Sequence, residues 1–215
     1  MAQARKWANV AVAMQSAIAA AVNITSITKA SPGVVTTGTT HGFANGDIVF
    51  LSVNGMFQLN FRPFRVASVT TNTFALEGED TTNYDTFTSG TVQKITLGTS
   101  ITTATSINSS GGDFDFIDTT TIHGNQKTQI PGLPNAASFT FENIWDVSDA
   151  GLVAMKAASD SQSMRVFSFT FGTGGQKMYF AGYVGASLLP GGQAQGLVTT
   201  PTSITMFGSP TYYAS

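Results

Sequence analysis

The sequence is 215 residues long, which is enough for one or two domains that bury a core without covalent cross-links. It contains no cysteine, so disulfide scaffolds, thiolate metal sites and cysteine-based catalysis are excluded. Only 10% of the residues are charged and the net charge is −2, which excludes a strongly basic nucleic-acid-binding protein and a chain held open by its own charge.

Hydroxyl side chains supply most of the polar character, with 31 Thr and 20 Ser. Thr, Val and Phe favour strands and 22 Gly supply turns, so the composition predicts a mainly β protein. A surface with so few charges is prone to self-association. We therefore expect a subunit whose surface is largely covered by its neighbours in an assembly.

The N-terminal segment allows two interpretations. Two basic residues precede an apolar run over residues 7–22, and this order resembles a secretory signal peptide. Polar residues at Asn9, Gln15 and Ser16 interrupt the run, which is also too short and too polar for a membrane span. We interpret residues 7–16 as a buried first strand and expect no association with a membrane.

Residues 23–94 combine short apolar runs with frequent turn signals such as Pro32-Gly33 and Asn45-Gly46. The pattern predicts strands at 24–28, 34–37, 47–53, 64–70, 73–77 and 91–95. Turns this frequent favour a small all-β barrel or sandwich. The polar stretch 79–89 is predicted to form an exposed loop.

The remainder of the chain begins with a predicted strand at 101–107 and a long irregular stretch at 109–135. A connection of that length inside a compact domain is typical of a functional or disordered loop. The clearest alternation of apolar and polar residues follows at 138–145, 164–172 and 177–189, which predicts strands with one buried face, and another strand is predicted at 194–207. One helix is predicted at 149–159, with Ser148 as its N-cap and an apolar stripe of Leu152, Met155 and Ala158.

Few residues point to catalytic chemistry. His41 and His123 each stand beside glycine in a turn-like context, and no metal-ligand spacing accompanies them. Asp113, Asp115 and Asp118 could be calcium ligands, but we interpret them as solvated loop carboxylates because an EF-hand pattern is absent. We expect no catalytic residue, no metal and no cofactor, and hence no enzyme.

A first resemblance lies between residues 24 and 92. The segments HGFANGDIV (41–49), LNFR (59–62) and TFAL (73–76) occur there in order. This order is similar to the small β-domain of phage structural proteins that is named after the first catalytic cysteine half-domain of ubiquitin-activating enzymes. The name implies no ubiquitin chemistry, because the chain has no cysteine. The resemblance implies an inserted all-β domain at 23–94, which we expect on the outer surface of the assembly.

A second resemblance covers the rest of the chain. The segments DTTTI (118–122) and IPGL (130–133) precede the predicted strand, helix and three long strands, and WANVAV (7–12) supplies a first strand. This order resembles the major tail tube proteins of long-tailed phages. The resemblance implies a β-sandwich or barrel with one flanking α-helix, formed by residues 1–22 as the first strand and 95–215 as the remainder. A decoration domain usually follows the tube domain, so an insert at 23–94 departs from the family pattern.

The same resemblance implies a structural function. Six copies form a ring, and rings stack into a tube through which DNA passes without adhering. The implied partners are the tape measure protein, the tail terminator and the distal tail protein, and the implied location is the virion tail, after synthesis in the bacterial cytoplasm. The alternatives are another tail ring component, such as a terminator or baseplate hub, and a secreted β-adhesin or carbohydrate-binding module. Tyr84 and Phe87 are the loop aromatics that could serve the last of these.

Two sets of residues are candidates for assembly and channel surfaces. The first set comprises apolar residues of the long loop, which we expect to be exposed in the monomer and buried between rings: Phe114, Phe116, Ile130, Pro131 and Leu133. The second set comprises Ser138, Thr140 and Glu142, which alternate with Phe139 and Phe141. We expect these three to face the lumen, because hydroxyls and a carboxylate do not bind phosphates as Lys or Arg would. Contact with outside solvent or with a neighbouring subunit is the alternative for that face.

Overall fold

The computed structural model describes residues 9–172 and 174–214. Within them lie sixteen β-strands, one α-helix and a 3-10 turn at Phe57–Leu59, which confirms the mainly β fold with a single flanking helix. The elements are β1 (Val10–Met14), β2 (Ala17–Ile18), β3 (Val22–Ile27), β4 (Val34–Thr37), β5 (Ile48–Asn54), β6 (Pro63–Ala67), β7 (Thr73–Leu76), β8 (Ser89–Thr96), β9 (Thr99–Ile101), β10 (Ala104–Ser110), β11 (Phe114–Asp118), β12 (Gln129–Pro134), β13 (Ser138–Ile144), α1 (Ala150–Asp160), β14 (Arg165–Phe171), β15 (Lys177–Ala186) and β16 (Thr199–Tyr213).

The larger of two seven-stranded sheets has the order β10-β13-β16-β15-β14-β1-β9, and its neighbouring strands are antiparallel. Strands β9 and β10 occupy its opposite edges, yet only Thr102 and Thr103 connect them. Because so short a link spans at most about 11 Å, the sheet must curl until its edges adjoin. We call the resulting open barrel the large barrel.

Phenylalanines at alternating strand positions fill the large barrel. Phe167, Phe169 and Phe180 are buried, and Phe180 stacks on Phe167 and meets Phe169 edge-to-face. Helix α1 packs against β15 and β9 and adds the predicted stripe of Leu152, Met155 and Ala158 to this core. The periodicity of the sequence thus located both the apolar strand faces and the buried face of the helix.

The helix begins one residue later than predicted. Asp149 is the N-cap, and its Oδ1 accepts a hydrogen bond of 2.8 Å from the backbone N–H of Leu152. Ser148, the predicted cap, instead donates its hydroxyl to Asp146. The second helical residue, Gly151, lies so close to β9 that a Cβ there would come within 2.6 Å of the Ser100 carbonyl oxygen. A glycine therefore allows the first turn to sit directly on the edge strand.

The second sheet has the order β2-β8-β3-β4-β7-β6-β5, and β8 also pairs with β5. This additional pairing closes six of the strands into a small barrel. Its core includes Val35, Leu51, Phe64, Phe74 and Val92, all with no exposed surface. Each strand predicted between residues 24 and 95 overlaps one of its strands. The loop at 79–89 is mostly exposed, as predicted, and it is anchored by the buried Thr81, whose hydroxyl donates to the Thr28 carbonyl at 2.7 Å.

The small barrel packs on the outer face of the large barrel. Val166, Tyr179 and Ala181, which point away from the large core, are buried against Ile48 and Ile95. Strands β14 and β15 are consequently buried on both faces, whereas their sequence alternation predicted one buried face. The second covering layer comes from a distant part of the chain, so local periodicity does not reveal it.

Polar contacts accompany this apolar interface. The backbone N–H of Arg65 donates to the Tyr213 hydroxyl at 2.8 Å, and the Thr211 hydroxyl donates to the Pro63 carbonyl at 2.8 Å. The Arg65 guanidinium lies over the Tyr213 ring and donates to Glu77. Hydrogen bonding and charge from Arg65 lower the pKa of Glu77, and burial raises the pKa of Tyr213. The ion pair thus belongs to the surface that joins the two barrels.

Three further predictions are corrected. The stretch 109–135 is not irregular but contains the antiparallel hairpin of β11 and β12. The single strand predicted at 101–107 is two strands, β9 and β10, at opposite sheet edges. The last strand starts at Thr199 instead of residue 194 and continues to Tyr213. Of the predicted first strand 7–16, residues 7 and 8 lie outside the described residues.

Candidate assembly and channel surfaces

The hairpin of β11 and β12 projects from one end of the large barrel, between β10 and β13. Phe116 pairs with Pro131 and Ile117 pairs with Ile130, so apolar pairs occupy both faces of the two-stranded sheet. A bulge after Phe114 shifts the register. Neither face of this hairpin is therefore a conventional polar surface.

The hairpin is exposed throughout. All residues of β11 and β12 are exposed except Gly132, which is half-buried. Phe116 is 63% exposed and Leu133 is 85% exposed. The structure thus brings the five predicted loop residues (Phe114, Phe116, Ile130, Pro131 and Leu133) together on one hairpin and leaves them accessible in the single chain.

Two other apolar residues of this region, Ile117 and Ile122, are exposed and were not predicted as contact residues. Ile117 directly follows Phe116 and lies on the other face of β11, so it does not belong to the alternating pattern of Phe114 and Phe116. Ile122 lies in the turn of the hairpin, where no periodic signal exists. Their exposure enlarges the apolar surface of the hairpin.

Hydrogen bonds within the hairpin hold its carboxylates. Hydrogen bonds from the side chain and backbone N–H of Thr120 lower the pKa of Asp118, and Lys127 acts in the same direction. The Asn135 amide donates to Asp115 at 3.1 Å. Across the described ranges, no group of three or more His, Asp or Glu side chains is arranged to hold a metal ion.

A second surface is the polar face on the outside of β10, β13 and β16. Ser138, Thr140 and Glu142 lie on it, as their alternation predicted, and the strand register adds neighbours from both sides. Its residues are Ser106, Asn108, Ser110, Ser138, Thr140, Glu142, Pro201, Ser203 and Thr205. Glu142 is the one charged residue among these nine, and none of them is Lys or Arg. The contributions of β10 and β16 depend on long-range pairing, which the sequence does not display.

The polar face and the small barrel occupy different sides of the large barrel. The small barrel covers the outer faces of β14 and β15 and contacts the end of β16 through Thr211 and Tyr213, whereas the polar face belongs to β10, β13 and the first half of β16. Strands β13 and β14 stand three apart in the curled sheet of seven. Their outer faces therefore point in different directions, with β16 and β15 between them.

An apolar cluster, here called the end patch, lies at the far end of β13 from the hairpin. It consists of the exposed side chains Ile144, Val147, Leu189, Leu197 and Val198. The backbone N–H of Trp145 donates to the Val198 carbonyl at 2.9 Å and its indole N–H donates to the Leu188 carbonyl at 2.9 Å, which ties the end of β13 to the loop at 187–198. Leu189 and Leu197 are 69% and 65% exposed.

A carboxylate borders the end patch. Asp146 stands beside Val147 and accepts hydrogen bonds from the backbone N–H and the hydroxyl of Ser148, which lower the pKa of Asp146. The loop at 187–198 carries no charged residue. The patch is thus apolar with a single acidic neighbour that already has hydrogen-bond partners.

A family model described as phage tail tube protein, TTP, matches residues 54–215, which include the hairpin, the polar face, the helix and the end patch. The chain belongs to this family. The match begins at the end of β5, within the small barrel, and so does not delimit the predicted insert. No curated protein matches the chain.

Membership of the tail tube family confirms the prediction of a structural phage tail protein located in the virion tail. The residues that were candidates for other functions, His41, Tyr84 and Phe87, pack in the small barrel. His41 is buried, its Nδ1 accepts from the Phe43 N–H, and its ring packs on Phe43 and Phe74. Tyr84 and Phe87 are half-buried against the core of the small barrel. None of the described helices is both long and apolar enough to cross a membrane.

The open seam of the large barrel is a further feature of this tail tube protein. A cleft of about 380 Å³ lies between the first half of β1 and the edge of β10, with no charged residue in its lining. Among the described residues, β10 pairs with β13 alone, so its other edge has backbone groups available for pairing.

Proposed function

We propose that this chain is the major tail tube subunit, six copies of which form a ring, with stacked rings enclosing the channel that delivers the genome. The β11–β12 hairpin is the observation that carries this proposal. An isolated two-stranded hairpin is marginally stable in water, and this one exposes Phe116 and Leu133 as well. A contact between rings would cover those side chains and stabilise the hairpin.

The polar face supports the assignment of a channel wall. DNA binds to Lys and Arg because each phosphate contact releases counterions. Hydroxyls, one amide and Glu142 offer no such contact, so a lumen lined by this face would let DNA move without adhering. The small barrel, which packs mainly on β14 and β15, would then lie on the outside of the tube as an insert at 23–94.

The sheet edges support the proposed ring. The available edge of β10 permits strand pairing or close packing with a neighbouring subunit. Repetition of one such contact around a closed axis produces a ring of identical subunits. We infer six subunits from the family resemblance.

The proposed partners are the tape measure protein inside the tube and the tail terminator and distal tail protein at its ends. The subunit would be synthesised in the host cytoplasm before it joins the tail.

Negative-stain electron microscopy of the purified full chain tests the proposal. We expect hollow tubes built from stacked rings, and a high copy number of the chain in purified virions. Single rings that never stack, together with a copy number of one ring per virion, would favour a terminator instead. Monomers at all concentrations and few copies in the virion would overturn the assignment as the major tube subunit.

A further inference from the structure

The hairpin and the end patch lie at opposite ends of one strand. β13 begins at Ser138, shortly after the hairpin, and ends at Ile144, which belongs to the end patch. A strand of seven residues is about 20 Å long. Each subunit therefore carries two exposed apolar surfaces that are separated by the length of β13.

We propose that the end patch is the docking surface for the hairpin of a second copy of this chain in the adjacent ring. The inference rests on the proposed tube and deepens it by naming the surface that receives the hairpin. Displacement of one copy along the axis of β13 brings its hairpin to the end patch of the next. Because the two surfaces are unlike, each contact leaves one hairpin and one patch available, and growth continues without closure.

The chemistry of the two surfaces is compatible. Phe116 and Leu133 of the hairpin would meet the aliphatic side chains of Leu189 and Leu197. The loop at 187–198 is uncharged, and Asp146, the carboxylate beside the patch, already accepts two hydrogen bonds from Ser148. Burial of apolar surface on both sides is the main source of stability in such a contact.

The exposed area points to a second copy as the occupant. The accessible surface of the chain is 11,995 Å², whereas a compact monomer of its mass exposes about 9,500 Å². The excess exceeds the area of about 1,600 Å² that a standard interface buries. A second copy supplies the hairpin and the patch in equal numbers, so one repeated contact covers both surfaces in every subunit except those at the tube ends.

Disulfide mapping tests this docking, because the chain has no cysteine of its own. The full chain with Phe116→Cys and Leu197→Cys is assembled under reducing conditions and then oxidised. The two positions lie at opposite ends of β13, so they cannot bridge within one chain, since a disulfide requires Cα atoms within about 7 Å. We expect a ladder of covalent oligomers on a non-reducing gel. The matched control combines Phe116→Cys with Phe57→Cys, an exposed position of the small barrel, and should give no ladder.

The outcomes separate this inference from the function on which it rests. Tubes with a ladder from the test pair alone support the docking. Tubes without that ladder, or with an equal ladder from the control, overturn the docking and leave the tube proposal intact. Failure of the unsubstituted chain to form tubes overturns the tube proposal itself.

A second variant covers the case in which the cysteine pair prevents stacking. Leu197→Ser retains an intact hairpin but has an altered patch. Rings of this variant should add to one end of a growing tube and then stop its growth, so a small fraction of the variant should shorten tubes of the unsubstituted chain. Tube lengths that do not change with the added fraction would overturn the docking.

Discussion

Asp149 fixes the start of helix α1 through a hydrogen bond that its carboxylate accepts from Leu152. Replacement of a capping carboxylate by alanine removes that bond and a favourable charge at the positive end of the helix. We expect Asp149→Ala to lower the free energy of unfolding by about 1 kcal/mol, measured by urea denaturation. Ser148→Ala is the matched control and should have a smaller effect, because Ser148 does not cap the helix. Equal effects of the two substitutions would contradict the assignment of the cap.

Glu77 links the stability of the barrel interface to pH. Its pKa in the folded protein is lowered by Arg65, so the carboxylate contributes stability above its ordinary pKa of about 4.3. That contribution is lost as pH falls through the lower folded value. We expect the melting temperature to fall on acidification from pH 7 to pH 3, and Glu77→Gln to reduce this dependence.

The conservative variant Arg65→Lys serves as the control for the pH experiment. It retains the positive charge near Glu77 but cannot form the same two-point contact. Its acid-dependent loss of stability should lie between that of the unsubstituted chain and that of Glu77→Gln. A loss in Glu77→Gln as large as in the unsubstituted chain would show that other groups cause the pH dependence.

At the scale of elements, the β11–β12 hairpin is separable from the barrel that carries it. Its residues contribute nothing to the three buried clusters of the described chain. We expect the combined substitution Phe114→Ser and Phe116→Ser to leave the melting temperature nearly unchanged while it blocks the stacking of rings. Circular dichroism measures the first effect and electron microscopy the second. Normal tubes from this variant would contradict the assignment of the hairpin to the ring contact.

Strands with regular alternation were predictable from the sequence, and the interrupted ones were not. Phe167, Phe169 and Phe180 are apolar residues in a period of two, which predicted β14 and β15. The division between β9 and β10 falls at two threonines without a turn signal, because the curl of the sheet causes it. Strand β12 was not predicted because it contains Pro131 and Pro134. Proline lacks a backbone donor, so it argues against a strand except at the edge of a sheet.

Local alternation also predicted only part of each surface. The alternation around Phe139 and Phe141 identified Ser138, Thr140 and Glu142 as one face. The neighbours of that face on β10 and β16 come from distant segments, so no local pattern identifies them. The end patch likewise forms only when β13 and the loop at 187–198 meet through Trp145.

For the whole molecule, the position of Glu142 on the polar face permits a test of the proposed channel. In a ring of six subunits, Glu142→Lys would place six cations around the lumen, and each could bind a phosphate of the passing DNA. We expect tubes to assemble and DNA ejection to slow at low salt, with recovery as added salt screens the charges. The measurement is the ejection rate of variant phage across a series of salt concentrations.

Glu142→Gln is the control for the channel experiment, because it removes the carboxylate without adding a cation. Ejection by this variant should remain close to normal at low salt. Normal ejection at low salt by Glu142→Lys would place the polar face away from the DNA path. The tube proposal itself does not depend on that result.

The sheet order also determines when each barrel can form as the chain is synthesised. All strand pairs of the small barrel lie between β2 and β8, so it can fold while the rest of the chain is still being made. The large barrel pairs Val10 with Phe171, and β13, which can pair with β10 earlier, gains its second neighbour only when β16 has been made. Long-range pairing of this kind folds slowly. A nascent subunit therefore completes its small barrel first and gains a stable large barrel, with which to join a tube, only after β16 has been made.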